Sequence, residues 1–157
     1  MTRREIPLDA HAILRVLAEH GVDYVLIGGV AVQAHGHPRT TQDMDLTPNP
    51  NIGNLARLRA ALIELHARPV GAARPNKLPL DLPPTGVLEL DTDAGGVDVH
   101  FDPPGAAAYD DLRGRALELD LGTLVAVAGR DDLISMKRAS GRPIDRSDIL
   151  ALTEPHE

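Results

Sequence analysis

The chain has 157 residues, enough for one domain with its own core, and carries a formal charge of −7 with no cysteine, two tyrosines and one phenylalanine. The lack of cysteine excludes disulfides, thiolate nucleophiles and thiolate metal ligands. The acidic balance argues against binding nucleic acid through the overall field, and so few rings argue against base-stacking platforms.

In chain order, "DAHAILRVLAEH" (9–20) places Ala10, Ile13, Leu14 and Leu17 at helical spacing, with Asp9 as N-cap and Gly21 as stop. "DYVLIGG" reads as a short buried strand ending in a tight turn, and "GVAVQAHG" as a short helix opening at Gly29. "RTTQDMDL" (39–46) reads as a strand closed by "TPNPN", and residues 52–66 as a second amphipathic helix. The Pro- and Ala-rich stretch 69–84 reads as a loop. "GVLELD" and "GVDVHFD", separated by "TDAGG", read as a hairpin. In its second arm Val97, Val99 and Phe101 alternate with Asp98, His100 and Asp102. Residues 106–127 hold a short helix and one or two strands such as "TLVAVA", and two closing helices follow, parted at Gly141–Pro143. The expectation is a single α/β (α+β) domain over 1–157, a small mixed sheet flanked by helices. Its core spans about 22–102 and a helical segment about 129–153. No apolar run reaches the length of a membrane span and the N-terminus has no apolar signal core, so a cytoplasmic setting without membrane contact is expected.

The chemistry centres on Asp43 and Asp45. Residues two apart on a strand share a face, roughly 6.5 Å apart. At an effective dielectric of 20 their charges repel by about 2.5 kcal/mol. Exposure to water or a neighbouring arginine would relieve this; Arg39 and Thr41 follow the same alternation, so an Arg–Asp ion pair is one reading. A divalent cation is the other, since Mg²⁺ takes oxygen ligands and commonly shares one or two carboxylates with substrate phosphates. Asp98 offers a third acid from another strand. The turn "IGGVA", Ile27 to Ala31, runs a strand through Gly-Gly into a helix, which frees backbone N–H groups for a phosphate.

The order Gly-Gly turn, short helix, Asp-x-Asp strand, later lone Asp resembles the nucleotidyltransferase superfamily with the polymerase-β-like core. The segment "GGVAVQAHGHPRTTQDMDL" (28–46) resembles most the minimal bacterial nucleotidyltransferases of toxin–antitoxin and abortive-infection (AbiEii) type. The resemblance implies a nucleotidyltransferase fold and transfer of a nucleoside monophosphate from a nucleoside triphosphate to an acceptor hydroxyl, releasing pyrophosphate. It implies Mg²⁺, or Mn²⁺, held by Asp43, Asp45 and Asp98 as the catalytic acids. Gly28 and Gly29 would hold the β- and γ-phosphates, with Arg39 and Thr41 at the nucleotide. Position 29 is Gly where many relatives carry Ser, so a hydroxyl contact to phosphate is absent. Near the end, "LISMKRASGRPIDRSDILAL" (133–152) sets Lys137, Arg142, Asp145 and Asp148 in places matching those relatives, with Lys137 reaching the triphosphate and Asp148 either positioning it or capping the helix.

The acceptor stays open between tRNA, toward which the basic segment 137–146 leans, a partner protein, and a small molecule such as an antibiotic. A different class is a non-catalytic domain that binds a cognate toxin or antitoxin. Of the histidines, His35 is expected to be structural or to line the pocket. His100 shares a strand face with Asp98 and either touches a nucleotide or orders a carboxylate. Asp102 is the alternative to Asp98 as third ligand.

Overall fold

Helix α1 (Ala10–Glu19) starts where the Asp9 carboxylate accepts a hydrogen bond from the Ala12 N–H at 3.1 Å, and it buries Ile13, Leu14, Val16 and Leu17. The architecture is that of a computed structural model, described for residues 6–70, 78, 82 and 85–153. Strand β1 (Tyr24–Ile27) is buried throughout, runs directly into α2 (Gly28–Ala34), and is followed by β2 (Asp43–Pro48) and α3 (Ile52–Glu64). Asn51 caps α3 by accepting from the Gly53 N–H at 2.9 Å. Next come β3 (Arg68–Pro69), β4 (Val87–Thr92), β5 (Gly95–His100), α4 (Tyr109–Arg115), β6 (Leu117–Asp120) and β7 (Leu124–Val127), and α5 (Arg130–Ser140) and α6 (Pro143–Thr153) close the order.

Among the described residues seven strands form one mixed sheet in the order β3-β4-β5-β2-β1-β7-β6. β2 pairs antiparallel with β1 and parallel with β5, and β1 pairs parallel with β7. The middle of the sheet is thus β5-β2-β1, the three strands that frame the acids. In β2 the side chains of Met44 and Leu46 are fully buried while Asp43 and Asp45 are half-buried, so the period of two sends the apolar pair into the core and both carboxylates to the other face. Burying a side chain such as Leu46 or Val99 contributes about 1.5–3 kcal/mol, which fixes the register against a slip of one residue.

The expected elements are present, with shifted bounds. α2 opens at Gly28 rather than Gly29. β2 begins at Asp43, so Arg39 and Thr41 lie in the connecting loop and do not share a strand alternation with the acids; β2 also runs on through Thr47 and Pro48, the first residues of the expected closing turn. The Gln33 amide donates to the Arg39 carbonyl and the Thr41 hydroxyl to the Asp43 carbonyl at 3.0 Å, giving that loop its own geometry. β5 ends at His100, leaving Phe101 and Asp102 outside the hairpin. Most of the 69–84 loop lies outside the described residues, and its start forms β3 against β4. Helix α5 is tied to the end of α4 by a two-point contact: the Arg115 guanidinium donates to both Asp132 oxygens at 3.0 and 2.8 Å.

Candidate active site

The carboxyl end of β1, the opening residues of β2, the face of β5 that carries Asp98 and His100, and the helices α5 and α6 enclose a cavity of about 410 Å³. Gly28, Gly29, Arg39, Thr41, Asp43, Asp45, Asp98 and Lys137, all singled out from the sequence, line it. Asp102 is not among the lining residues, because β5 has ended two positions before it.

The floor is a row of acids set by strand register. Asp45 lies beside Asp98 in the parallel β2–β5 pair, and Glu89 lies opposite Asp98 in the β4–β5 hairpin. Side chains directly opposite one another share a face, so all three border the cavity, with Asp43 two residues before Asp45. His100, two residues beyond Asp98, completes the face; its Nε2 lies 2.8 Å from Asp45 Oδ1. The side chains of Asp45 and His100 are 19% and 22% exposed, enough for a ligand to reach them and too little for water to dominate. Donor atoms of Asp45, Asp98 and His100 all lie within 4.8 Å of one another.

Gly28 stands against this floor. Its φ is +70°, which L side chains rarely adopt, and a Cβ built on it would lie 2.3 Å from Asp45 Oδ2. Glycine therefore leaves the space in which the Asp45 carboxylate sits. At Gly29 a Cβ would meet Arg39 Nη1 and Thr41 Oγ1, each at 3.0 Å. The room a serine hydroxyl would need at position 29 is taken by a guanidinium and a threonine hydroxyl.

The opposite wall comes from the C-terminal helices and is built of matched charges. Lys137 on α5 is buried and lies 2.8 Å from Asp148 Oδ2 and 3.5 Å from Asp145 Oδ1. Arg39 donates to the same Asp148 oxygen at 2.7 Å, across 109 residues of sequence. Asp148 thus holds Arg39 and Lys137 together, so of its two expected roles positioning is the one realised. Asp145, 1% exposed, accepts from Arg142 Nε at 3.0 Å and Nη2 at 3.2 Å. Burial by itself would raise the Asp145 pKa; hydrogen bonds from Arg142 and Ser140 and the charges of Arg142 and Lys137 outweigh it and hold the group at about 2. Val87, Pro103, Pro104, Leu133, Met136 and Ile144 supply the apolar rim.

Oxygen donors from three acids on adjacent strands, with glycine opposite, fit a hard divalent cation shared with phosphate. His35 is structural: its Nε2 lies 2.9 Å from the Ala128 carbonyl oxygen, tying the end of α2 to the strand end at β7. Among the lining residues not singled out from the sequence are Glu89 and Ile144. Glu89 was legible in principle, since a hairpin register that sets Val99 opposite Leu88 sets Asp98 opposite Glu89. Ile144 had no signal, because only helix packing brings it to the rim.

No family model and no curated protein matches the sequence. Solved structures do match the fold. The lincosamide antibiotic adenylyltransferase LnuA, bound to lincomycin, superposes with a TM-score of 0.65 at 16% identity over 96% of this chain and 99% of its own. ANT(2″)-Ia, in complex with adenylyl-2″-tobramycin, gives 0.59 at 16% identity over 90% and 84%. The fold is that of the nucleotidyltransferases. A third structure, TM1012 from Thermotoga maritima, whose assignment as a nucleotidyltransferase is provisional, gives 0.57 at 16% identity over 92% and 93%. Among the described residues no helix is long and apolar enough to cross a membrane.

Proposed function

We propose that this chain is a divalent-metal-dependent nucleotidyltransferase that moves a nucleoside monophosphate from a nucleoside triphosphate to a hydroxyl of a small acceptor molecule. The observation that carries the reading is one cavity with opposite charges on facing walls: Asp43, Asp45 and Asp98 on the sheet, Arg39, Lys137 and Arg142 across from them. A triphosphate asks for both, cations at its oxygens and carboxylates that share a metal with it. A cation held by Asp43, Asp45 and Asp98 would neutralise charge at the phosphates and lower the pKa of the acceptor hydroxyl.

The chain's own residues then bind and orient. Lys137 meets the triphosphate as a point charge, and Asp148 keeps it beside Arg39. Gly28 and Gly29 leave that wall without side chains, so backbone approaches the ligand closely. The acceptor oxygen bonds to the α-phosphorus while the bond from that phosphorus to pyrophosphate breaks. The acceptor proton leaves at the end of the floor where Asp98 and Glu89 stand side by side. Placement and fixed charge supply most of the rate.

The basic segment bears on the acceptor. Of the four cations in 137–146, Lys137 is buried against carboxylates of α6 and Arg142, although its side chain is 67% exposed, is paired with Asp145; Arg138 and Arg146 are exposed. That is a weak footing for a polyanion such as tRNA. The antibiotics in the structures of LnuA and ANT(2″)-Ia point to the same class of acceptor. A toxin–antitoxin role with tRNA or protein as acceptor would keep the same chemistry at phosphorus, and the antibiotics in those two structures are what favours a small molecule over it.

Calorimetric titration with ATP, GTP, CTP and UTP, with Mg²⁺ or Mn²⁺, followed by pyrophosphate release in the presence of an aminoglycoside, a lincosamide or bulk tRNA, tests both parts. The expected result is metal-dependent binding of one nucleotide, lost in Asp45→Ala, and release that requires a small hydroxyl acceptor. Wild type that binds no nucleotide with either metal overturns the reading. Release with tRNA and with no small acceptor overturns the acceptor assignment.

A further inference from the structure

His100 places an imidazole nitrogen where a purely carboxylate site would have none. It lies on the same face of β5 as Asp98, beside Asp45 on β2. Its Nε2 is already 2.8 Å from one Asp45 oxygen, and the three donors lie within 4.8 Å of one another. Ligands on a common octahedral ion with bonds of about 2.1 Å stand about 3.0 Å apart when adjacent and about 4.2 Å when opposite. The set is therefore within a small side-chain adjustment of closing on one ion. Asp43, although it lines the cavity, is not part of this close set.

We propose that Asp45, Asp98 and His100 form a mixed oxygen–nitrogen metal site that prefers a first-row transition cation, with Mn²⁺ as the probe, over Mg²⁺. The inference deepens the nucleotidyltransferase reading and rests on its metal-binding floor. Mg²⁺ holds to oxygen donors and gives up its water reluctantly, whereas imidazole suits first-row cations such as Fe²⁺, Ni²⁺ and Zn²⁺; Mn²⁺, the weakest binder of that row and itself at home among oxygens, is the conservative probe. Coordination needs a lone pair on the nitrogen. In the metal-free state the His100–Asp45 contact requires a proton between Nε2 and the carboxylate; on binding, that proton moves to Nδ1 through solvent while Nε2 turns its lone pair to the cation.

The test uses the whole chain and the metal alone, with no nucleotide or acceptor. Mn²⁺ is titrated into wild type and His100→Leu, in competition with Mg²⁺, and the bound ion is read by pulsed electron paramagnetic resonance for coupling to a ¹⁴N nucleus. The expected result is a nitrogen coupling in wild type that vanishes in His100→Leu, with the preference for Mn²⁺ over Mg²⁺ falling about tenfold or more, on the scale seen when a contact to a metal site is removed. Mn²⁺ bound to wild type without nitrogen coupling overturns the inference and makes His100 only a hydrogen-bond partner of Asp45, with the nucleotidyltransferase reading intact. Wild type that binds no Mn²⁺ also overturns it, and the nucleotide titration then decides separately whether the wider reading stands. Because the decisive spectrum is taken on wild type, a variant that folds poorly does not weaken the test.

Discussion

The two charged walls of the cavity are built on different principles. On the floor, like charges are gathered: Asp43, Asp45, Glu89 and Asp98 border one cavity on neighbouring strands. Across from it opposite charges are already matched, with Asp145 and Asp148 each shared between two cations. A floor of that kind would gain most from a cation. The helical wall is complete without a ligand, and it can offer Lys137 and Arg39 to a phosphate only by sharing them with Asp148. The floor should therefore be rich in function and poor in stability, and the helical wall the reverse.

Asp45→Ala is the strongest way to break that contrast. It should lower transfer by at least about 10²–10³-fold, the usual cost of losing an electrostatic group at a reacting centre, while unfolding by urea shifts little. A large loss of stability in this variant would show that the floor is structural after all.

Lys137→Ala acts on the other wall. It leaves Asp145 with Arg142 alone and Asp148 with Arg39 alone, so the cost should fall below the about 3–5 kcal/mol of a fully broken buried pair. Chemical denaturation checks this, and Lys137→Ala combined with Asp148→Ala should cost less than the sum of the two single changes, because the pair acts as a unit.

Asp145→Asn refines the comparison through pH. The folded pKa of Asp145 is lowered from 3.8 to about 2, so its contribution is present above the unfolded value and is lost as pH falls through the folded one. The variant should be less stable by about 2 kcal/mol at neutral pH. It should also lose the part of the acid dependence that wild type shows between pH 4 and 2. Stability curves for both proteins over that window read the difference directly.

Gly28→Ala brings the contrast back to the floor, at a smaller cost in stability. Holding φ at +70° with an alanine costs about 1–2 kcal/mol, and the new methyl would displace the Asp45 carboxylate. Activity should fall far more than that stability loss accounts for, in paired kinetic and denaturation measurements. Arg146→Ala, on the outward side of α6, should change stability by less than about 0.5 kcal/mol and leave pyrophosphate release as it was. A clear drop in release would reopen the case for a polyanionic acceptor.

Much of the floor was legible in the chain. The alternation of Asp43 and Asp45 with Met44 and Leu46 fixes which face the acids share, because the period of a strand is two and the apolar pair must be buried. The hairpin of β4 and β5 follows from two alternating runs around a short turn. Where the reading extended β2 back to Arg39, it failed because alternation in polar residues carries no burial signal: Arg39 and Thr41 sit in a loop and reach the site from the side of Gly29.

By itself the sequence determined most of the elements, their amphipathic faces and the face that Asp43 and Asp45 share, since local period and burial act within a few residues. Tertiary structure alone decided the rest: that β2 lies between β1 and β5 so that Asp45 meets Asp98, that His100 leans on Asp45, and that Asp148 gathers Lys137 with an arginine 109 positions earlier. Those contacts join residues far apart in the chain. Their pairing is set by how helices and strands pack into one core, a choice that no local pattern encodes.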